Sequence, residues 1–317
     1  MNKLTLVLTS YNRLLFLKEM VESLEKQSDL DFDLIICDNH STDGSWSYID
    51  SLNKLNNGEY IKLHWDENKG WAGSAEKWNK FIKTEWATIL CDDDWLGVDF
   101  VKTINTAINN LPYSFSGLIV IGHQRVNKEK KIKRDYLYKS KIFDIETAVS
   151  EFYYQRFDVA GISGFALPSK ILKTDFPKCY EGNGFMEDTL IIYRTLLSGG
   201  LTFSDGIHYY RREHSDNISA PNKGNLFYRI SMLRFKNDII TYTKQANCSE
   251  KLKKKIIRYN IIDHLKGIIK EVVIQERSIY VYNDYVRRIR KIDRIKYIQS
   301  VCIYPIIISA VFLRKIL

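Results

Sequence analysis

The chain has 317 residues, of which 45% are hydrophobic and 27% are charged, a composition that excludes a disordered or low-complexity protein. The formal net charge of +9 comes from residues 251–317, where 16 side chains are basic and 5 are acidic, whereas residues 1–250 carry 31 basic and 33 acidic side chains. Because no RNA-binding signature or zinc finger accompanies the basic residues, we expect no nucleic-acid partner.

The cysteines number five and are widely scattered, with no C-x-x-C pair and no histidine cluster near them. They indicate neither a disulfide framework nor a zinc site. The apolar run at residues 4–8 is too short for a signal peptide and leads directly into polar residues. We therefore expect a protein of the reducing cytoplasm.

Short apolar runs alternate with longer amphipathic stretches through the first 120 residues. Strands are predicted at 4–9, 32–38, 60–65 and 86–91. Helices are predicted between them, at 14–26, around Trp46 to Leu52, and at 71–83. This order predicts an α/β fold, a Rossmann-like and mostly parallel sheet flanked by helices.

The remainder of the chain is mixed and then helical. A helix is predicted from residue 99 to about 110, a strand at 118–122, and an exposed hairpin or loop at 128–133. Further helices are predicted at 145–154 and 187–197, with strand material at 202–210 and helices from residue 225 onward. We place a domain boundary near residue 220, between a large α/β domain and a helical C-terminal region over 221–317.

Each of the first four predicted strands ends in a polar cluster. These clusters lie at 9–13, 38–44, 66–70 and 92–94. In open parallel sheets the ligand binds beyond the carboxyl ends of the strands, where such loops converge. The sequence therefore predicts one ligand site built from all four.

The strongest local signal is the run Asp92-Asp93-Asp94, directly after a predicted buried strand. Nothing in the nearby sequence neutralises these carboxylates, and a divalent cation such as Mg²⁺ or Mn²⁺ would do so. The alternative is a solvated acidic turn that caps the next helix. Neither a P-loop nor a G-x-G-x-x-G motif is present, so a metal ion that holds a diphosphate is the phosphate-binding device that remains.

Five motifs in order resemble the family 2 glycosyltransferases, which have the GT-A fold. The motifs are Thr9–Arg13, Asp38–Gly44, Asn68–Gly70, Asp92–Asp94 and Glu187–Asp188. The resemblance covers roughly residues 3–220 and implies inverting transfer of a sugar from a nucleotide-sugar, usually a UDP- or dTDP-sugar, to an acceptor hydroxyl. It also implies a catalytic domain with a nucleotide-binding half over 1–120 and an acceptor half over 121–220.

The resemblance assigns roles to the residues of the first motifs. Those that border the nucleobase, the nucleoside and the diphosphate are Thr9, Tyr11, Arg13, Asp38, Asn68 and Gly70. Asp38 is expected to hydrogen-bond the base.

The acidic motif departs from the family pattern. The family often has Asp-x-Asp-Asp, and Cys91 stands where the first Asp would be. Asp92 is then expected at the ribose, and the metal ligand is either Asp93 or Asp94.

Two further segments of the chain resemble later motifs of the family. Glu187-Asp188 resembles the pair that holds the catalytic base, with Asp188 as base and Glu187 as support; the alternative is a helix N-terminus favoured by acidic residues. Residues 209–219 resemble a segment in which an arginine neutralises the diphosphate and a histidine completes the metal shell. We assign these roles to Arg211 and His214, although Glu213 leaves open which arginine faces the substrate and His214 could equally be an ordinary surface residue. The other five histidines have no constellation around them and are expected to be structural.

The basic residues at 287–296 precede an apolar run at 301–313 that is interrupted by Pro305 and is too short to span a bilayer. This pattern suits a peripheral anchor on the inner, anionic face of the cell membrane. The alternative is packing on the catalytic domain or on a second subunit.

As a whole the sequence predicts a bacterial glycosyltransferase that acts on a glycan or lipid-linked acceptor in capsule, O-antigen or other surface-glycan synthesis. Two other functions stay open. One is a sugar-1-phosphate nucleotidyltransferase, and the other is a non-catalytic scaffold that binds nucleotide-sugars.

Overall fold

The structure is a computed structural model that describes residues 2–154, 156–158, 161–173, 187–214 and 226–268. The chain divides into two units, Met1–Asn225 and Leu226–Leu317. The predicted boundary near residue 220 and the predicted membrane anchor after residue 285 lie outside the described residues, and both stay predictions.

The first half of the large unit has the predicted alternation of strands and helices. Its elements are β1 (Leu4–Ser10), α1 (Leu14–Glu25), β2 (Asp33–Asp38), α2 (Ser45–Ser51), β3 (Tyr60–His64), α3 (Gly70–Trp78) and β4 (Trp86–Cys91). The four strands are parallel, in the spatial order β3-β2-β1-β4. Their carboxyl ends therefore meet at one edge of the sheet, as predicted.

The second half is built from shorter elements. They are β5 (Trp95–Leu96), α4 (Phe100–Asn110), β6 (Leu118–Val120), β7 (His123–Val126), β8 (Ile132–Tyr136), β9 (Ile142–Phe143), α5 (Ile145–Tyr153), β10 (Phe165–Pro168), α6 (Ser169–Lys173), α7 (Glu187–Gly199), β11 (Leu201–Phe203) and β12 (Tyr209–Arg212). Within the described residues the large sheet has the order β3-β2-β1-β4-β10-β6-β11-β9. It is mostly parallel, with helices around it, and the predicted fold class is confirmed.

A second, smaller sheet has the order β5-β12-β7-β8. The strand material predicted at 202–210 forms two strands, because the chain bends around Gly206, where φ is +83°, between β11 in the large sheet and β12 in the small one. Strand β12 pairs with β5, which directly follows the acidic run. The small sheet thus carries residues 209–214 to the end of β4.

The core forms where β1 packs against α1. Leu4, Leu6 and Leu8 of β1 are fully buried. On α1 the buried positions Leu17, Met20, Val21 and Leu24 follow the three-and-four spacing of one helical face. This packing fixes the strand whose carboxyl end opens onto the predicted site.

The C-terminal unit contains α8 (Leu226–Gln245) and α9 (Glu250–Ile268), a helical pair as predicted. Ile239, Leu252 and Ile256 are among its buried side chains. None of the helices in the described part of the chain combines the length and the apolar composition that crossing a bilayer requires.

Replacement of Leu6 by Ala should lower the free energy of unfolding by about 2–5 kcal/mol, because it leaves a cavity in the core beneath β1. Leu15→Ala on α1 is the matched control, since Leu15 is 77% exposed, and its effect should stay within about 0.5 kcal/mol. Urea denaturation followed by circular dichroism measures both. Equal losses for the two variants would contradict this description of the core.

Candidate active site

The acidic residues 92–94 occupy the connection between β4 and β5 and are compensated by groups from distant segments. Arg13, at the end of β1, places Nη1 3.2 Å from Asp92 Oδ1 and 2.7 Å from Asp93 Oδ2. The backbone N–H of Tyr11 donates to Asp92 at 3.2 Å. Nothing in the nearby sequence neutralises the three carboxylates, and the structure shows that Arg13, which is distant along the chain, pairs with two of them.

The three carboxylates differ in protonation because their surroundings differ. Burial and the charge of Asp93 raise the pKa of Asp92 to about 6, with Arg13 acting in the opposite direction. Burial also acts to raise the pKa of Asp93, but a hydrogen bond from His214 and the charge of Arg13 outweigh it, so that this pKa is lowered. His214 Nε2 lies 3.2 Å from Asp93 Oδ2. The surroundings of Asp93 thus favour the ionised form, whereas those of Asp92 and Asp94 disfavour it.

Asp94 connects the acidic loop to β12 by accepting two hydrogen bonds from that strand. The hydroxyl of Tyr209 donates to Oδ2, and the backbone N–H of Arg212 donates to Oδ1 at 2.9 Å. Burial, together with the charge of Asp93, raises the pKa of Asp94 to about 8. Both oxygens therefore already have donors, and Asp93 is the better placed of the two candidate metal ligands.

The two neighbouring arginines of β12 have different environments. Arg212 is buried; its Nε donates to Asp93 O at 3.0 Å, and its Nη2 lies 2.7 Å from Glu19 Oε2. The guanidinium also lies over the rings of Phe16 and Trp95, at 4.6 and 4.9 Å. All of these contacts of Arg212 are with protein groups, so Arg211 is the better candidate of the two for contact with a substrate.

Glu187 and Asp188 begin α7, and Glu187 is buried. The backbone N–H of Thr189 donates to Asp188 Oδ1 at 2.6 Å. Burial raises the pKa of Asp188, opposed by the hydrogen bonds of Thr189 and by the charge of Arg211. A carboxylate with a raised pKa has the chemistry that a general base requires.

A second polar cluster lies at the ends of β2 and β3. Asp38 is fully buried, and its Oδ2 accepts from the N–H of Ser41 at 2.9 Å and lies 2.9 Å from His64 Nδ1. Asp38 Oδ1 is buried without a hydrogen-bond partner in the described part of the chain. The expectation that His64 has no constellation around it is wrong, since it joins Asp38 and stacks on Trp46 at 4.8 Å.

Asn39 connects this cluster to the loop before α3. Its Nδ2 donates to Asn68 Oδ1 at 2.9 Å and to Gly70 O at 3.2 Å, and its Oδ1 accepts from Lys69 N at 3.1 Å. Gly70 has φ of +68° and open space where a Cβ would lie. Thr9 is nearby in the sheet, where its hydroxyl donates to Leu90 O at 3.4 Å.

The structure therefore brings most of the predicted residues together in two groups at one sheet edge, while Glu187 and Asp188 lie at the start of α7. No role was assigned from the sequence to four residues of these groups, Asn39, His64, Tyr209 and Arg212. Asn39 lies inside the Asp38–Gly44 motif, so its position was a usable signal. In the run Tyr209–Arg212 the sequence alone does not distinguish one tyrosine or one arginine from the other. They differ once the run is known to be a strand, because neighbouring side chains then point to opposite faces.

The residues around Asp93 fit a divalent cation. Ligand atoms of Cys91, Asp93 and Asp94 lie within 4.8 Å of one another, and His214 adds a ring nitrogen beside Asp93. Carboxylate oxygen and imidazole nitrogen suit Mn²⁺, and carboxylate oxygen suits Mg²⁺. Burial raises the pKa of the Cys91 thiol well above its usual value, which disfavours the thiolate as a ligand.

The chain belongs to glycosyl transferase family 2, whose family model matches residues 5–168. The resemblance stated from the motifs is thereby confirmed. A Campylobacter jejuni relative, GalNAc(5)-diNAcBac-PP-undecaprenol beta-1,3-glucosyltransferase, is 25% identical over 159 residues, which cover 50% of this chain and 49% of the relative. The chain thus matches about half the length of that relative. Glycosyltransferase GlyG of Streptococcus pneumoniae is 27% identical over 222 residues, or 66% of this chain and 70% of GlyG.

Solved structures show the same fold. S. aureus TarS 1–349 in complex with UDP superposes with a TM-score of 0.68 at 17% identity, covering 97% of this chain and 86% of the TarS chain. The mannosyltransferase PcManGT from Pyrobaculum calidifontis, in complex with GDP-Man and Mn²⁺, gives a TM-score of 0.51 at 12% identity, with coverage of 97% and 85%.

Removal of the Tyr209 hydroxyl should destabilise the fold, because Asp94 would lose a donor while staying buried. Tyr209→Phe should lower the free energy of unfolding by about 1–3 kcal/mol. Tyr210→Phe is the control, since Tyr210 points to the opposite face and stacks on Trp95, and it should cost less than about 0.5 kcal/mol. Thermal and urea unfolding without added metal compare the two. A Tyr210 effect as large as that of Tyr209 would contradict the link.

Proposed function

We propose that the protein transfers a sugar from a UDP- or dTDP-sugar to an acceptor hydroxyl, with inversion at the anomeric carbon. The observation that carries the proposal is the meeting of Asp93, His214 and Arg13 at the sheet edge that also holds the unpartnered Asp38 Oδ1. Membership of glycosyl transferase family 2 supports it, and so does the UDP complex of TarS.

Asp38 is suited to the nucleobase of the donor. Uracil and thymine each carry one ring N–H, and the buried Oδ1 is an acceptor that lacks a donor. Pairing it would remove the cost of leaving a buried acceptor unsatisfied. The Asn39 bonds hold residues 68–70 beside this position, and Gly70 leaves space for the nucleoside.

Asp93 and His214 would hold the divalent cation. When bound, the cation supplies positive charge to the departing diphosphate. Asp92, which Arg13 and the N–H of Tyr11 hold in place, faces the ribose in this assignment. Arg211 adds a second, permanent positive charge for the diphosphate, because arginine stays protonated and can donate several hydrogen bonds in one plane.

Asp188 acts as the general base and Glu187 supports it. The acceptor oxygen attacks the anomeric carbon and forms the new glycosidic bond while its proton passes to Asp188. The bond from the anomeric carbon to the diphosphate breaks, and its electron pair leaves with the diphosphate. The raised pKa of Asp188 makes it a stronger proton acceptor than an exposed aspartate.

The acceptor in this proposal is a glycan or lipid-linked precursor of a bacterial surface polymer. The C. jejuni relative is named for a PP-undecaprenol substrate, and a poly(glycerol phosphate) polymerase of teichoic acid from Staphylococcus epidermidis is 33% identical over 96 residues, or 30% of this chain and 13% of that polymerase. The cytoplasmic location, the anionic-membrane contact and any subunit contact of the C-terminal region belong to the same proposal.

The first test is nucleotide release from a panel of nucleotide-sugars with Mn²⁺ and a glycan acceptor. Asp188→Asn should lower kcat by about 10²- to 10⁴-fold, because the proton acceptor is lost. Asp50→Asn, an exposed carboxylate on α2, is the control and should retain wild-type turnover. Binding of UDP without turnover over any acceptor would favour the scaffold function, and pyrophosphate release from sugar phosphate and nucleoside triphosphate would favour the nucleotidyltransferase.

A second test measures the cation directly. Isothermal titration of Mn²⁺ in the presence of UDP should give a site whose affinity falls by about tenfold or more in Asp93→Asn, because an ionised ligand is replaced by an amide. Asp50→Asn should leave the titration unchanged. If Asp93→Asn binds Mn²⁺ with wild-type affinity, Asp93 is not a ligand of the cation.

A further inference from the structure

A buried charge cluster lies beside the proposed site and has no role in the steps above. Asp158 is 8% exposed and forms a two-pronged ion pair with Arg125, in which Nε lies 2.7 Å from Oδ2 and Nη2 lies 2.6 Å from Oδ1. His123 Nε2 lies 3.0 Å from Asp158 Oδ2. Arg125 also reaches Glu213, at 3.3 Å.

The sheet register explains why Asp158 matters to Arg211. Strands β7 and β12 are parallel, and Arg125 is the register partner of Arg211. Two guanidinium groups therefore project side by side from neighbouring strands, an arrangement that is unfavourable without a shared counter-ion. Asp158 supplies that counter-ion, since Arg211 Nη1 lies 3.9 Å from its Oδ2.

The stem of Arg211 is confined as well. Gly161 has φ of +112°, and a Cβ there would lie 3.2 Å from Arg211 Cδ and 3.3 Å from Nε. The backbone at Gly161 therefore packs directly against the Arg211 side chain. This contact limits where the guanidinium group can go.

Arg211 is held in place although its contact with Asp158 does not use all of its hydrogen-bond donors. Arg125 takes both Asp158 oxygens at short range, whereas the approach of Arg211 to Asp158 is the single ion pair that Arg211 makes within the described residues. Burial raises the pKa of both Asp94 and Asp188, and the charge of Arg211 opposes that rise in each, so Arg211 lies within electrostatic range of the acidic loop and of the proposed base. No described residue accepts a hydrogen bond from its guanidinium group, whose donors can therefore bind an anion at that position.

We propose that Asp158 is a positioning residue that holds the Arg211 guanidinium toward the diphosphate of the donor while leaving its hydrogen-bond donors available. The inference rests on the proposed function, because it takes the anion to be the diphosphate of a nucleotide-sugar. Asp158 itself touches no substrate in this arrangement. Its contribution is the orientation of Arg211.

Titration calorimetry of UDP and of uridine, each in the presence of Mn²⁺, tests the inference without requiring turnover. Asp158→Asn should weaken UDP binding by about tenfold, because Arg211 loses its orientation, and should leave uridine binding within about twofold. A purely electrostatic role predicts the opposite sign, since removal of a negative charge near the site would tighten UDP binding. A purely structural role would weaken UDP and uridine together.

A double-mutant cycle separates positioning from general damage. Arg211→Lys should weaken UDP binding to a similar extent, and the Asp158→Asn, Arg211→Lys double variant should be no weaker than Arg211→Lys alone. Asp135→Asn, an exposed carboxylate of the same small sheet, is the matched control and should bind UDP normally. If the fold-losses in UDP affinity of the two single variants multiply in the double variant, the two residues act independently and the inference is overturned.

Arg125→Lys provides a second route if Asp158→Asn does not fold. It keeps the charge but loses the two-pronged contact that fixes Asp158, and it should also weaken UDP selectively over uridine. If Asp158→Asn leaves UDP binding unchanged or tightens it, the inference is overturned but the proposed function is not. Absence of UDP binding by the wild type overturns both the inference and the proposed donor.

Discussion

Three consecutive carboxylates at the end of a buried strand impose the constraint on which the rest of the site depends. Asp92 and Asp94 are each 4% exposed, and charges removed from water must be compensated by nearby cations or donors. Partners from two parts of the fold compensate these charges. Arg13 arrives from the end of β1, while Tyr209, Arg212 and His214 arrive with β12 and the residues after it. The position of the small sheet against the large one is thus tied to the acidic loop.

Because of the same constraint, three chemically identical side chains have different partners and different pKa values. Asp92 is bonded to the residues that follow β1, Asp94 is bonded to β12 and has a raised pKa, and Asp93 has a lowered pKa beside His214. Environment, rather than residue type, therefore sets the role of each carboxylate. Cys91 fits this division, because a neutral thiol in place of a fourth acid avoids adding another negative charge to a buried loop.

Sequence reasoning recovered the parts of the fold that local patterns determine. The apolar spacing of α1 and the mostly apolar strands β1 and β4 could be predicted in this way. Strand β10 could not, since four apolar residues do not distinguish a strand from other buried chain. The partner of Asp92 was also invisible, because Arg13 lies 79 residues away. Arg211 and Arg212 became distinguishable only once β12 was known to be a strand, whose alternation sends neighbours to opposite faces.

The separation between the acidic loop and its partners along the chain affects how the molecule assembles. Asp94 and Tyr209 are 115 residues apart, and Asp93 and His214 are 121 apart, whereas the four parallel strands of the first half form from nearer neighbours. Closing such long loops costs chain entropy before any contact offsets it. During synthesis the first half emerges long before β12, so its acidic loop is hydrated until that strand docks. Burial of the loop therefore requires residues 209–214, and the acidic site is complete only after that segment has been synthesised.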